Sequence, residues 1–184
     1  ALRMEPIGGG PSFYCIAVSD GMGGMQDGAE CATACLASFF NSIIQHSNRS
    51  APDILRMATS EANNDVYSRW LGKGGATLSA VLLLADGSVH TSNVGDSRIY
   101  AVDKGWSGLR RVTVDDSLKD AFGGEGRELV QFIGIGKALV PKIETLPSSI
   151  EGAIITSDGA HYFEHQLFDE IVVKASDSMR AAER

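Results

Sequence analysis

A compact, largely apolar run from Phe13 to Ser19 is bounded by Pro11 and by Asp20-Gly21. A run this short, closed by chain breakers, predicts a buried strand that ends in a sharp turn. From Asp27 to about Gln45 the period changes. Ala32, Leu36, Phe39, Phe40, Ile43 and Ile44 recur at helical spacing and predict one apolar stripe. Pro52 and Asp53 suit the first turn of a second helix, whose buried face would carry Leu55, Ala58, Ala62 and Val66. Strand patterns take over at Ala76, with runs at Leu78 to Ala85, Val89 to Val94, Arg98 to Val102 and Leu109 to Val114. Asp86-Gly87 has the composition of a two-residue hairpin turn, so these runs predict an antiparallel meander. After a glycine-rich, polar stretch around Gly123 to Glu128, strands are expected at Ala138 to Leu146 and Glu151 to Thr156, then helix from Ala160 onward. Helices, many antiparallel strands and helices again predict an α+β layered domain, not the alternation of a parallel sheet. No internal repeat or long linker divides residues 1–184, so one domain is expected.

Composition narrows the function classes. A chain of 184 residues with 43% hydrophobic content can bury one good core. Its net charge of -7 argues against nucleic acid as a partner, because binding to a phosphate backbone needs a basic surface. Apolar stretches such as Ala80 to Ala85 fall far short of the ~20 residues of a membrane span. A soluble protein of the cytoplasm is the expectation. Cys31 and Cys35 lie four apart on one predicted helix face with no further zinc ligands spaced to join them, so all three cysteines are expected to be buried thiols.

Candidate chemistry begins with four Asp-Gly pairs, at Asp20, Asp27, Asp86 and Asp158, each of which is a turn by default. Asp20 and Asp158 differ in context. Each follows an apolar strand, CIAVS or GAIITS, and precedes a helix, so its carboxylate stands at the end of a core-anchored strand. Gly23 and Gly24 leave the surroundings of Asp20 bare. Hard dications such as Mg²⁺ and Mn²⁺ prefer oxygen ligands and are often held by few carboxylates. Two such ions can clamp a phosphate and acidify water. Asp20, Asp96 and Asp158 sit in comparable strand-end settings.

Three stretches then make the pattern specific. AVSDGMGGMQDGAECA resembles the first metal motif of PP2C phosphatases in its bacterial form, GGATLSAVLLL with SNVGDSRIY resembles the family's central hairpin, and IITSDGAHYF resembles its strand-ending SDG motif. RVTVDDS and LVQFIGIG match more loosely the stretches that flank the family's flap. The resemblance runs from Phe13 to the last residues. It implies a PP2C-like sandwich of two antiparallel β-sheets flanked by helices, in α-β-β-α layers, and a metal-dependent serine/threonine protein phosphatase. It also implies that Asp20 bridges two Mn²⁺ or Mg²⁺ ions, that the Gly21 carbonyl reaches one through water, and that Asp158 binds the other. Asp20 and Asp158 would thus act in catalysis through metal-bound water, while Asp96 matches the acid of a third, weaker cation site. A phosphorylated protein would be the substrate, opposing a serine/threonine kinase. Arg98 is expected to brace its turn by ion pairing, and Gly75 and Thr77 to serve packing.

The match has gaps. The family's opening Arg and Asn-Glu-Asp motif would lie upstream of Ala1, and its closing Asp-Asn motif does not follow Ser178 to Arg184. A chain limited to residues 1–184 is therefore expected to bind metal weakly and turn over poorly. Asp116 stands where the family usually has His, Met22 replaces the histidine of eukaryotic members, and the segment from Ser117 to Gly134 is short for a flap. One alternative is a catalytically impaired PP2C-like regulatory or binding domain. Another is a zinc peptidase, because HYFEH, from His161 to His165, fits the H-x-x-E-H pattern. A nucleotide site at Gly72-Lys73-Gly74-Gly75 is disfavoured, since the stretch lacks P-loop spacing and opens a strand.

Overall fold

The computed structural model describes residues 1–5, 11–123, 126 and 128–161. Among these, two antiparallel sheets pack face to face, and two long helices cover the outer face of the first. Sheet one has the order β1 (Leu2–Met4), β2 (Phe13–Val18), β3 (Leu78–Leu84), β4 (Val89–Val94) and β7 (Lys142–Leu146). Sheet two has the order β6 (Leu109–Arg111), β5 (Arg98–Asp103) and β8 (Ile150–Thr156).

The first core lies between the helices and sheet one. Phe13 and Cys15 of β2 and Leu78, Ala80 and Leu82 of β3 point into it, against Phe39, Leu55, Ala58, Ala62 and Val66. Alternate residues point the other way, as strand geometry requires. Val81 and Val89 of sheet one meet Ile99, Ala101 and Ile155 of sheet two in a second, smaller core. Sheet one is thus covered on both faces, which is why β4 is buried along its whole length.

α2 (Ala51–Trp70) starts where its sequence signals say it should. The Ser50 hydroxyl caps it, accepting from the Asp53 N–H at 3.4 Å, and Pro52 fills the first turn, where no amide donor is needed. Leu55, Ala58, Ala62 and Val66 are all fully buried. α1 (Gly28–Gln45) meets expectation only in part. Its buried line is Cys31, Ala34, Cys35, Phe39, Ser42 and Ile43, whereas Ala32, Leu36 and Phe40 are half-buried and Ile44 is exposed. Phe39 and Ile43 of the expected stripe are fully buried, and Cys31, Ala34 and Cys35 join them in the core. All three cysteines are buried free thiols, and burial pushes Cys15 and Cys35 up to about 12.

The predicted meander is corrected at one point. β3 and β4 form the expected hairpin, with Asp86 Oδ1 accepting from the Ser88 N–H at 2.8 Å and Gly87 at φ 85. After Val94, however, the chain leaves sheet one, turns through Gly95 to Ser97 and enters sheet two as β5. Gly95 adopts φ 98, a conformation that suits glycine. The strand expected from Ala138 begins later, at Lys142, because residues 136–138 form a short 3-10 turn. The closing helical pattern opens with α4 (Asp158–His161) and otherwise falls on residues 162–184, outside the described residues.

Candidate metal centre

Strand register decides where the acids go. Val18 pairs with Ser79, Leu78 with Val94, and Arg98 with Thr156. The end of β2, the start of β3, the end of β4, the start of β5 and the end of β8 therefore share one rim. Asp20 lies two residues past Val18, Asp96 two before Arg98, and Asp158 two past Thr156, so all three project from that rim. They line one open pocket of about 220 Å³, together with Gly21 to Gly24, Thr77, Glu128 and Leu129.

The backbone beneath Asp20 is fixed. The Thr77 N–H donates to the Asp20 carbonyl at 2.8 Å, and the Asp20 N–H donates to the Thr77 hydroxyl at 3.0 Å. The Ser19 hydroxyl donates to the Thr77 carbonyl at 2.7 Å. Thr77 Oγ1 also lies 2.7 Å from Ser97 Oγ, beside Asp96, so one buried hydroxyl pair joins the footings of two acids. Thr77 therefore does more than pack: its hydroxyl and main chain hold the Asp20 backbone. Thr77→Val keeps the shape and leaves the Asp20 N–H and the Ser97 hydroxyl without this partner. Urea denaturation should register a loss of about 1–3 kcal/mol, with Thr77→Ser recovering much of it; a valine variant as stable as wild type would contradict this assignment.

Gly21 is equally constrained. A Cβ built there would stand 2.2 Å from the Gly28 carbonyl oxygen, so the loop after β2 runs directly against the start of α1. The Met22 N–H donates to the Gly75 carbonyl at 3.0 Å and completes the anchoring. On the far side, Asn63 of α2 accepts from the Gly134 N–H at 3.0 Å and donates to the Gly136 carbonyl at 2.9 Å, which fixes the end of the flap segment.

Electrostatics in the pocket disfavour ionisation of Asp20 and Asp96. Burial first, then the adjacent Asp158 charge and its hydrogen bond, push Asp20 above the ordinary carboxylate range, against a backbone hydrogen bond from Gly21. Asp96 is also raised, by burial first and then by Asp158, Asp115 and Asp20. Crowded carboxylates of this kind relax when a cation comes between them. Among the described residues, no group of three or more His, Cys, Asp and Glu side chains is arranged to enclose a metal ion. A site with few carboxylates and an open rim still suits a hard dication that keeps several waters. The donor set fits Mg²⁺ or Mn²⁺.

Arg98 does not enter this pocket. Its Nε and Nη2 donate to Asp115 Oδ1 and Oδ2 at 3.1 and 2.7 Å, a two-pronged pair that Arg111 joins from the other side. The bracing role expected of Arg98 is seen, with Asp115 as the partner. Glu128 of the flap lines the pocket and was not signalled by sequence, because no strand-end pattern precedes it. The HYFEH motif falls mostly on residues 162–165, outside the described residues.

The family model for protein phosphatase 2C matches residues 8–183. The chain belongs to the protein phosphatase 2C family. Solved structures agree on the fold. The serine/threonine phosphatase Stp1 from Staphylococcus aureus superposes with a TM-score of 0.76 at 20% identity, over 94% of this chain and 76% of that one. The catalytic domain of the serine/threonine phosphatase PstP, solved in complex with two manganese ions, gives 0.73 at 20% identity, over 98% and 85%. A stage II sporulation E family protein from Thermanaerovibrio acidaminovorans gives 0.63 at 25% identity, over 85% and 80%. Comparison with curated proteins gives no significant match. The protein phosphatase 2C assignment accords with the two antiparallel sheets and their helices. Among the described residues, no helix is long and apolar enough to cross a membrane.

Proposed function

We propose that this chain forms a single protein phosphatase 2C domain that hydrolyses phosphoserine and phosphothreonine monoesters with two Mn²⁺ or Mg²⁺ ions and a third held more weakly. The observation that carries this reading is the meeting of Asp20, Asp96 and Asp158 in one pocket on this fold. Bound there, the dications would supply acidified water for attack on phosphorus and neutralise charge on the phosphoryl oxygens.

The chain's own residues do the rest. Asp20, with the Gly21 carbonyl, and Asp158 would hold the two principal ions, and Asp96 would serve the weaker one. The hydrogen bonds at Thr77 hold the Asp20 main chain in place at the rim. Gly23 and Gly24 have open space where a Cβ would be, which leaves room for a bulky phosphorylated side chain. No side chain is asked to become a phosphoenzyme. The substrate would be a phosphorylated protein of the cytoplasm, modified by an opposing serine/threonine kinase.

The test uses the full-length protein with p-nitrophenyl phosphate and a phosphothreonine peptide. Turnover should require Mn²⁺ or Mg²⁺, stop on chelation and return on readdition. Because the two apolar cores do not depend on the ions, chelation should stop hydrolysis well below the melting temperature. Loss of fold and of turnover at the same chelator concentration would contradict the proposal, and negligible metal-dependent rates would point to a non-catalytic domain that binds a phosphoprotein.

A further inference from the structure

Asp116 touches the turn that carries Asp96. The Asp116 N–H donates to the Gly95 carbonyl at 3.0 Å, and the Gly95 N–H donates back to Asp116 Oδ2 at 3.0 Å. The second carboxylate oxygen meets Lys142 Nζ at 2.6 Å. Lys142, the first residue of β7, also donates to the Val114 carbonyl at 3.0 Å. The Asp116 carbonyl accepts from the Val130 N–H at 2.7 Å, and Ser117 bridges to Leu129, so the two ends of the flap close on this residue. Its side chain is only 6% exposed.

We propose that Asp116 and Lys142 are positioning residues that hold the Asp96 turn and tie it to the base of the flap. The physical reason is that a buried carboxylate needs a fixed partner, and a charge-assisted bond to Lys142 leaves its other oxygen aimed at one amide. Gly95 sits at φ 98, and glycine's wide conformational freedom leaves these hydrogen bonds to hold it there. Asp116 thereby does for Asp96 what Thr77 does for Asp20. This inference rests on the phosphatase reading for the role of Asp96 toward a cation.

The experiment takes full-length wild type, Asp116→Ala, Asp116→Asn, Lys142→Met and Asp96→Asn. Mn²⁺ binding is followed by electron paramagnetic resonance, and exchange of the Gly95 and Asp96 amides is measured in the metal-free protein. Asp116→Ala should weaken the loosest Mn²⁺ site about tenfold or more, with the tighter sites within twofold, and should speed Gly95 exchange. Asp116→Asn should recover part of both, because it still offers an acceptor to the Gly95 N–H; Lys142→Met should fall between. Should Asp116→Ala fail to fold, the asparagine and methionine variants carry the test. Weak-site affinity and Gly95 exchange that stay within twofold of wild type in the variants overturn the proposal. So does a wild type with no Mn²⁺ site that Asp96→Asn removes. Absent hydrolysis in wild type with these binding results intact would sink the phosphatase reading and spare this one.

Discussion

Asp20→Asn should lower Mn²⁺-dependent hydrolysis by more than about 100-fold and at the same time raise the melting temperature of the metal-free protein. The first effect follows from position. Changing a residue that only supports a metal ligand commonly costs 10–100-fold in affinity or activity, and Asp20 is proposed to contact both principal ions itself. The second follows from electrostatics. Asp20 is raised above the ordinary carboxylate range by burial and by Asp158, so the folded state holds its proton more tightly than the unfolded chain. That contribution to stability is fully present below the unfolded value and is lost as pH rises through the raised folded value. At neutral pH the empty pocket therefore strains the fold, and asparagine removes the charge that causes it. Metal binding should weaken as pH falls toward the same window, because protons compete for the same oxygens. Parallel thermal melts and p-nitrophenyl phosphate assays decide the matter. A variant that melts lower than wild type without metal, or keeps a tenth of its activity, would refute the account.

Asp115→Ala carries the largest expected cost in stability, about 3–5 kcal/mol. Asp115 is 9% exposed and joins Arg98, itself 13% exposed, to Arg111. Alanine leaves one guanidinium buried without its two-pronged partner, and desolvated charge with no counter-ion is more costly than an absent pair. Against a typical total of roughly 5–15 kcal/mol, such a loss is a large fraction of the whole. At ~2–4 °C per kcal/mol for a chain of this size, the melting temperature should fall by roughly 6–20 °C. Arg98→Met in the Asp115→Ala background should win back much of this, since it removes the stranded charge. A drop below about 1 kcal/mol on urea denaturation would show that water reaches the pair and screens it.

Much of this architecture can be read in the sequence, and the failures have causes. β2, the β3–β4 hairpin and α2 are legible because each carries its own start and stop signals: Asp20-Gly21, Asp86-Gly87, and Ser50 with Pro52. The buried stripe of α1 is legible only in part: Phe39 and Ile43 are found, but periodicity weighs Leu36, Phe40 and Ile44 above the smaller Cys31, Ala34 and Cys35, which the core buries. The meander fails at Gly95 for a different reason. Local pattern shows that β4 and β5 are strands, but which sheet each joins depends on partners far away in sequence. Asp20, Asp96 and Asp158 stand out because all three are strand-end acids. Thr77, Asp116 and Glu128 do not, since a hydroxyl that supports a neighbour's backbone, a carboxylate paired to a distant lysine and an acid on a loop leave no local mark.

The hairpin at Asp86-Gly87 has a practical use. β3 and β4 run from the acid rim to the opposite end of sheet one, and β4 is six residues long, so this turn stands roughly 20 Å from Asp96 at ~3.3 Å per residue. Ala85, Asp86 and Gly87 are exposed, and the φ of 85 reserves the last of these for glycine. A fluorophore or immobilisation tether attached through the exposed Ala85 beside this turn would anchor the protein with its acid pocket left facing free solution.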